Sequence, residues 1–351
     1  MINAIRNYAL IIVVFIHTHI FLISYTQVKV ADWLTSFYNN FLSYFHPASL
    51  LAAISGFLFF KDYYEHHKSW QVFFKDKYLK RIKSIFIPYF FWVTLFFIIN
   101  NLILLLSAKY DNGLFVNTYT PITLKNYLLS FFYPELAVAK HLWYLNNLLF
   151  LFIATPLILW LNKHHWLYII ALLLVPVYYY LNFDPSHDQA HHVIKYRFIV
   201  FYLIGAFVSL NKNWLHAFMN KAWMYSLASI AVIILLYLPT FTRYNYALLY
   251  MVNSVTVTIV IFFISIYIIK KFFHPHDTIY NRSSHFLLYI IHPLLLSLLC
   301  KLFFFGNLIE IKEYRILLPV IFLLSFLIIK ITKLLYFYSH KYFKTLTMKF
   351  L

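Results

Sequence analysis

Ten apolar runs spaced along the whole chain limit the fold more than any other feature. Their approximate limits are 7–25, 41–60, 84–107, 142–161, 166–182, 196–210, 223–240, 247–269, 284–305 and 314–335. A helix needs about 20 apolar residues to cross a hydrocarbon core about 30 Å thick. Most of these runs reach or approach that length; 166–182 and 196–210 are short. The expectation is an all-α, polytopic membrane bundle of about ten transmembrane helices. Composition is needed only to exclude the alternative. With 63% hydrophobic and 11% charged residues among 351, a soluble globular domain is ruled out. Pro88, Pro156, Pro176, Pro293 and Pro319 fall in or beside the runs, as membrane bundles tolerate. No small-residue cleavage pattern follows Ile23, so the first run is read as a retained helix rather than a signal peptide. The chain reads as one transmembrane domain, 1–340, and a basic cytoplasmic tail, 341–351.

The net charge of +18 invites a nucleic-acid reading, and its distribution argues against one. With the N-terminus in the cytoplasm, the inner side receives 19 of the 29 basic residues and four of the 11 acidic ones. That is the positive-inside asymmetry, and it puts both termini in the cytoplasm. Lys333, Lys341, Lys344 and Lys349 stand among Tyr and Phe, a pattern suited to an interfacial helix on anionic lipid. Every Asp and Glu lies in a loop or near a run's end. An ion- or proton-coupled carrier usually keeps a carboxylate at mid-membrane, so that class is disfavoured. Four glycines make neither GxGxxG nor GxxxxGK[ST]. The lone Cys300 has no CxxC partner and reads as packing.

Within the first run, Arg6 and His17 are eleven residues apart. At about 100° and 1.5 Å per residue they share a helix face and lie about 16 Å apart along the axis. Arg6 then sits at the inner surface and His17 near mid-membrane. An imidazole there faces protein or a watery cavity. It is either a core histidine bonded to a neighbouring helix or a functional one. His292 lies about 12 Å deep if the ninth run enters from inside, and Pro293 beside it removes a backbone donor.

The second run ends in Ser55-Gly56-Phe57, where glycine permits close backbone approach. Lys80, Arg81 and Lys83 stand at the inner mouth of the third run. They are plain positive-inside anchors or a binding group for a phosphate-bearing ligand. The outer stretch 108–141 is long and mostly polar. It leads into His141-Leu-Trp143-Tyr144-Leu-Asn146, which suits an interfacial aromatic belt or a platform for a sugar. His187 and His191 have the spacing of paired metal ligands, but no further fixed ligand accompanies them and no metal is expected. Arg197, after Lys195, is a lipid-phosphate anchor or a glycan contact.

Taken in order, these residues resemble the acyltransferase 3 family of membrane O-acyltransferases. The marks are Arg6-x10-His17, Ser55-Gly56-Phe57, Arg81…Pro88-Tyr89, His141-Leu-Trp143 and Tyr289-x-x-His292-Pro293. The length and the Ile87-Pro88-Tyr89 stretch are also similar to the intercellular-adhesion exopolysaccharide acyltransferases. The resemblance implies a multi-pass protein of the bacterial cytoplasmic membrane. Such a protein moves an acyl group, acetyl or succinyl, from cytosolic acyl-CoA to hydroxyls of a polysaccharide or glycolipid. No tightly bound cofactor is implied; acyl-CoA is a donor substrate, and membrane lipids and glycan synthase machinery are further partners. It carries the essential pair onto Arg6 and His17, and donor binding onto Arg81, with Lys83 and Lys80 beside it. His292 is expected to support catalysis, and His141, Trp143, Asn146 and Arg197 to meet the acceptor. The family often has Asp three residues before the Arg; Asn3 stands here and cannot form that ion pair. A glycan exporter or flippase without acyl-transfer chemistry is the alternative reading.

Overall fold

The computed structural model describes residues 2–26, 47–61, 63, 69–110, 123–137, 140–181, 196–211, 282–300 and 314–342. Their regular structure is all helical, joined by short turns, with no strand among the described residues. The helices are α1 (Ile2–Thr26), α2 (Pro47–Phe60), α3 (Trp70–Arg81), α4 (Ile87–Tyr110) and α5 (Leu124–Ser130). They are followed by α6 (Trp143–Ile153), α7 (Thr155–Lys163), α8 (His165–Leu181), α9 (Tyr196–Leu210), α10 (Arg282–Cys300) and α11 (Tyr314–Tyr342). Two helical stretches, Trp70–Ile99 and Pro319–Tyr338, are long and apolar enough to cross a membrane. The pair α6–α7, bent by 55°, makes a third if taken as one span. Ala9–His19, Pro47–Phe60, Phe198–Leu210 and Phe286–Leu296 are shorter apolar helices. The runs expected at 223–240 and 247–269 lie outside the described residues, as do His187 and His191.

Three prolines shape the parts that matter. Pro88 has no N–H for the Ser84 carbonyl, and a π-turn, Ile82–Phe86, precedes it. The Ile87 N–H there reaches back to Ile82. The π-turn joins α3 to α4 without a break, so the third expected span begins 14 residues earlier than its apolar run. Pro156 likewise cannot donate to Phe152, and the helix bends at Ala154. The freed Phe152 carbonyl accepts from Thr155 Oγ1 at 2.6 Å and from Tyr78 Oη at 2.9 Å. Tyr78 lies on α3, so the bend is also where α3 is tied to α6–α7. The third, Pro293, belongs to the site.

The stretch 108–141, expected as a mostly polar loop, is partly helical. α4 runs on to Tyr110, and α5 is capped by Thr123, whose side chain accepts from the Asn126 N–H at 3.1 Å. Tyr89 Oη donates to the Phe131 carbonyl at 2.7 Å, and Tyr127 Oη meets Thr94 Oγ1 at 3.0 Å. These bonds lay the α5 region back along α4.

Among the described residues the most extensive helix pairing is α2 with α9. A methyl group on Gly56 would overlap the Tyr202 carbonyl, and one on Gly205 would overlap the backbone of Ala53. Backbone meets backbone at this crossing, and only glycine permits that separation. Helix α1 packs on α2, α10 and α11. Between α1, α10 and α11 lies a second apolar cluster of Val14, Leu22, Leu288, Leu296, Ile321, Leu324 and Ile328. A polar link crosses it: Ser325 Oγ donates to Thr18 Oγ1 at 3.2 Å, and Thr18 donates to the Val14 carbonyl.

Candidate active site

Pro293 cannot supply the N–H that would normally bond the Tyr289 carbonyl one turn back. The side chain of His292 takes its place. His292 Nδ1 lies 2.9 Å from the Tyr289 carbonyl and 3.0 Å from that of Leu288. Carbonyl oxygens only accept, so Nδ1 carries the proton and donates to both. The ring is 0% exposed. Its other nitrogen, Nε2, lies 2.9 Å from Nδ1 of His17 on α1. In a neutral pair Nε2 of His292 is the bare acceptor, so His17 Nδ1 must donate. His17 Nε2 is then left with its lone pair. His17 is only partly buried, whereas His292 is sealed behind it. A proline, a histidine and two carbonyls thus set the tautomer of an imidazole on another helix.

A third histidine adjoins the pair. His141 lies in a short 3₁₀ turn, Lys140–Leu142, just before α6. Its ring centroid is 6.2 Å from that of His292 and 5.1 Å from that of Phe96. The Tyr289 hydroxyl donates to the His141 carbonyl, tying α10 to this turn. Its Nε2 is buried with no hydrogen-bond partner. Among the described residues, no three His, Cys, Asp or Glu side chains are grouped to hold a metal ion.

Tyr144 joins this cluster to the basic groups. Its ring stacks edge-on against Tyr289 at 5.6 Å. Its hydroxyl is 2.9 Å from Ser55 Oγ and 3.2 Å from the Leu51 carbonyl. Arg6 and Arg81 both act electrostatically on that hydroxyl. The Arg81 guanidinium also lies 5.3 Å from the Phe152 ring centroid, directly at the Pro156 bend. The sequence therefore separates Arg6, Ser55, Arg81, Tyr144, Tyr289 and His292, and the fold gathers them. Lys80 and Lys83 are exposed on either side of Arg81.

The other expected acceptor residues are placed as follows. Trp143 is partly buried, edge-on to Phe198 at 6.0 Å. Asn146 is 3% exposed and donates to the Phe132 carbonyl at 2.7 Å. The side chain of Arg197 lies outside the described residues. Tyr144, part of the stretch expected as an aromatic belt or sugar platform, is buried against Ser55 and Leu51, and Tyr78 carries no expectation from the sequence. Pro156 signals that the Phe152 carbonyl needs another donor, but not that Tyr78, 74 residues from Phe152, supplies it. For Tyr144 no local signal exists, because its partner Ser55 is 89 residues away.

Apolar helices enclosing a bonded pair of imidazoles, with guanidinium groups close by, define a helical membrane protein with titratable side chains inside its apolar interior. The family is shown by comparison with known sequences. The chain belongs to the acyltransferase-3 family, whose model, described as an acyltransferase domain, matches residues 2–330. Its membrane character and its place among acyltransferases follow. No curated protein and no solved structure matches the chain.

Proposed function

We propose that the chain transfers an acyl group, acetyl or succinyl, from cytosolic acyl-CoA to a hydroxyl of an exported polysaccharide. The observation that carries this reading is the His17–His292 pair, with a bare Nε2 on the more accessible ring. His17 Nε2 takes the proton of the acceptor hydroxyl as its oxygen attacks the thioester carbonyl. The carbon–sulfur bond breaks, and the leaving thiolate recovers that proton from His17. The products are an ester and CoA thiol. His292 holds the His17 tautomer and shares the charge while the proton resides on the pair.

The donor's phosphates are assigned to Arg81, with Lys80 and Lys83 beside it, because guanidinium and ammonium groups suit phosphate. Arg6 polarises or positions from within electrostatic reach of the Tyr144 hydroxyl, on which Arg81 also acts. On the acceptor side the proposal names His141, Trp143 and Arg197, with Asn146 bracing the Phe132 turn behind them. The surrounding topology is the ten-span arrangement with both termini in the cytoplasm and a basic tail at 341–351. The setting is the bacterial cytoplasmic membrane, beside glycan synthase machinery, as in the intercellular-adhesion subfamily.

The test is acyl transfer by purified, folded full-length chain supplied with radiolabelled acetyl-CoA and extracted surface polysaccharide. His17→Ala is expected to lower turnover about a thousandfold. Turnover near that of the unaltered chain would overturn the assignment of His17. Transport of unmodified glycan without loss of acetyl from acetyl-CoA would favour the exporter reading.

A further inference from the structure

His292 is fixed from its own helix, because two carbonyls of α10 hold its Nδ1. Whether His17 meets it depends on how α1 is turned about its axis. An imidazole nitrogen stands about 6 Å from the axis of its helix, so a turn of about 10° moves it by about 1 Å. The 2.9 Å bond between His17 Nδ1 and His292 Nε2 does not survive a shift of that size. The apolar cluster shared by α1, α10 and α11 attracts without direction. It sets the spacing of the three helices better than their rotation. Phe15 against Phe322, with ring centroids 5.1 Å apart, adds contact area between α1 and α11.

A directional contact stands one residue from the pair. Thr18 follows His17 in the chain and therefore points about 100° round the helix from it. There Ser325 Oγ of α11 donates to Thr18 Oγ1 at 3.2 Å. The proton of Thr18 goes to the Val14 carbonyl at 2.8 Å, which leaves a lone pair of the hydroxyl for Ser325. Both side chains are buried. Helix α1 is thus held from two sides by hydrogen bonds at successive residues, one to an imidazole on α10 and one to a hydroxyl on α11.

We infer that Ser325 is a positioning residue for acyl transfer: its hydrogen bond to Thr18 fixes the rotation of α1 at which His17 engages His292. The inference rests on the acyl-transfer reading and adds to it a residue that acts through a neighbouring helix. A link that served packing alone could be replaced by an apolar pair of the same shape at little cost. A link that sets an angle could not.

The experiment uses the full-length chain, radiolabelled acetyl-CoA and extracted surface polysaccharide. Ser325→Ala is expected to lower kcat about tenfold with KM for acetyl-CoA unchanged, as a small misplacement of a reacting group does. The apolar pair Thr18→Val with Ser325→Ala is expected to melt within about two degrees of the unaltered chain, yet to keep the tenfold loss. The exchanged pair Thr18→Ser with Ser325→Thr keeps both hydroxyls and is expected to recover most of the turnover. Full turnover in the apolar pair would overturn the inference and leave acyl transfer standing. So would a kcat that falls only in step with Tm, or an exchanged pair that melts normally and is no more active than Ser325→Ala. If the unaltered chain leaves acetyl-CoA intact, the acyl-transfer reading fails and this inference with it.

Discussion

The crossing of α2 with α9 and the seam between α1 and α10 solve opposite problems. At the first, side chains are removed. Gly56 and Gly205 let two backbones touch, and each helix keeps its own hydrogen-bond ladder. At the second, a backbone bond is removed. Pro293 opens the ladder at Tyr289, and the side chain of the residue just before it, His292, fills the gap. The first arrangement gives close apolar contact with nothing left to react. The second gives a histidine whose proton position is set by the main chain. Rigid packing and chemical readiness are thus obtained at different places, by deleting different groups.

The largest effect should come from His17→Ala. Transfer is expected to fall about a thousandfold, equivalent to about 4 kcal/mol of transition-state stabilisation, with little change in Tm. If Tm falls in step with activity, the seam is structural and the contrast with the glycine crossing dissolves. Gly205→Ala should do the reverse. Its methyl group must displace the Ala53 backbone, costing about 3 kcal/mol of stability, read as a lower melting temperature in detergent. Turnover per folded molecule should be retained.

Pro293→Ala sharpens the comparison most directly. It returns an N–H to α10, which competes with His292 Nδ1 for the Tyr289 carbonyl. Helix stability should hold or rise while transfer drops about tenfold, the worth of one hydrogen bond in the pair's alignment. A variant both less stable and fully active would show that the proline serves packing alone. The smallest effect belongs to Tyr78→Phe, which leaves the Phe152 carbonyl to Thr155. A loss of about 1 kcal/mol is expected, with a modest rise in KM for acetyl-CoA because Arg81 lies one turn further along α3.

What the sequence made legible were features with local causes. The Arg6–His17 spacing follows from helix period alone, and Pro293 beside His292 announces a disturbed helix. Gly56 was readable as a close approach, but its counterpart Gly205 was not, because nothing in the sequence pairs two helices 149 residues apart. The same holds for Ser55 with Tyr144 and for Tyr78 with Phe152. The π-turn at Ile82–Phe86 escaped notice because an apolar run shows where hydrophobicity starts, not where a helix does. The amphipathic α3 begins well before that run. Asn146 shows the opposite case. A polar residue beside aromatic ones suggested a ligand contact, while its amide nitrogen bonds the Phe132 carbonyl.

The two carbonyls that grip His292 Nδ1 also determine where charge can travel. Main-chain oxygens do not take up protons at any ordinary acidity, so the imidazole chain is a cul-de-sac with one open mouth at His17. Whatever hydrogen ion enters there must return by the same door. Work drawn from a transmembrane proton gradient has no route through this pair. A chain acting this way would run equally well in vesicles made leaky with an uncoupler.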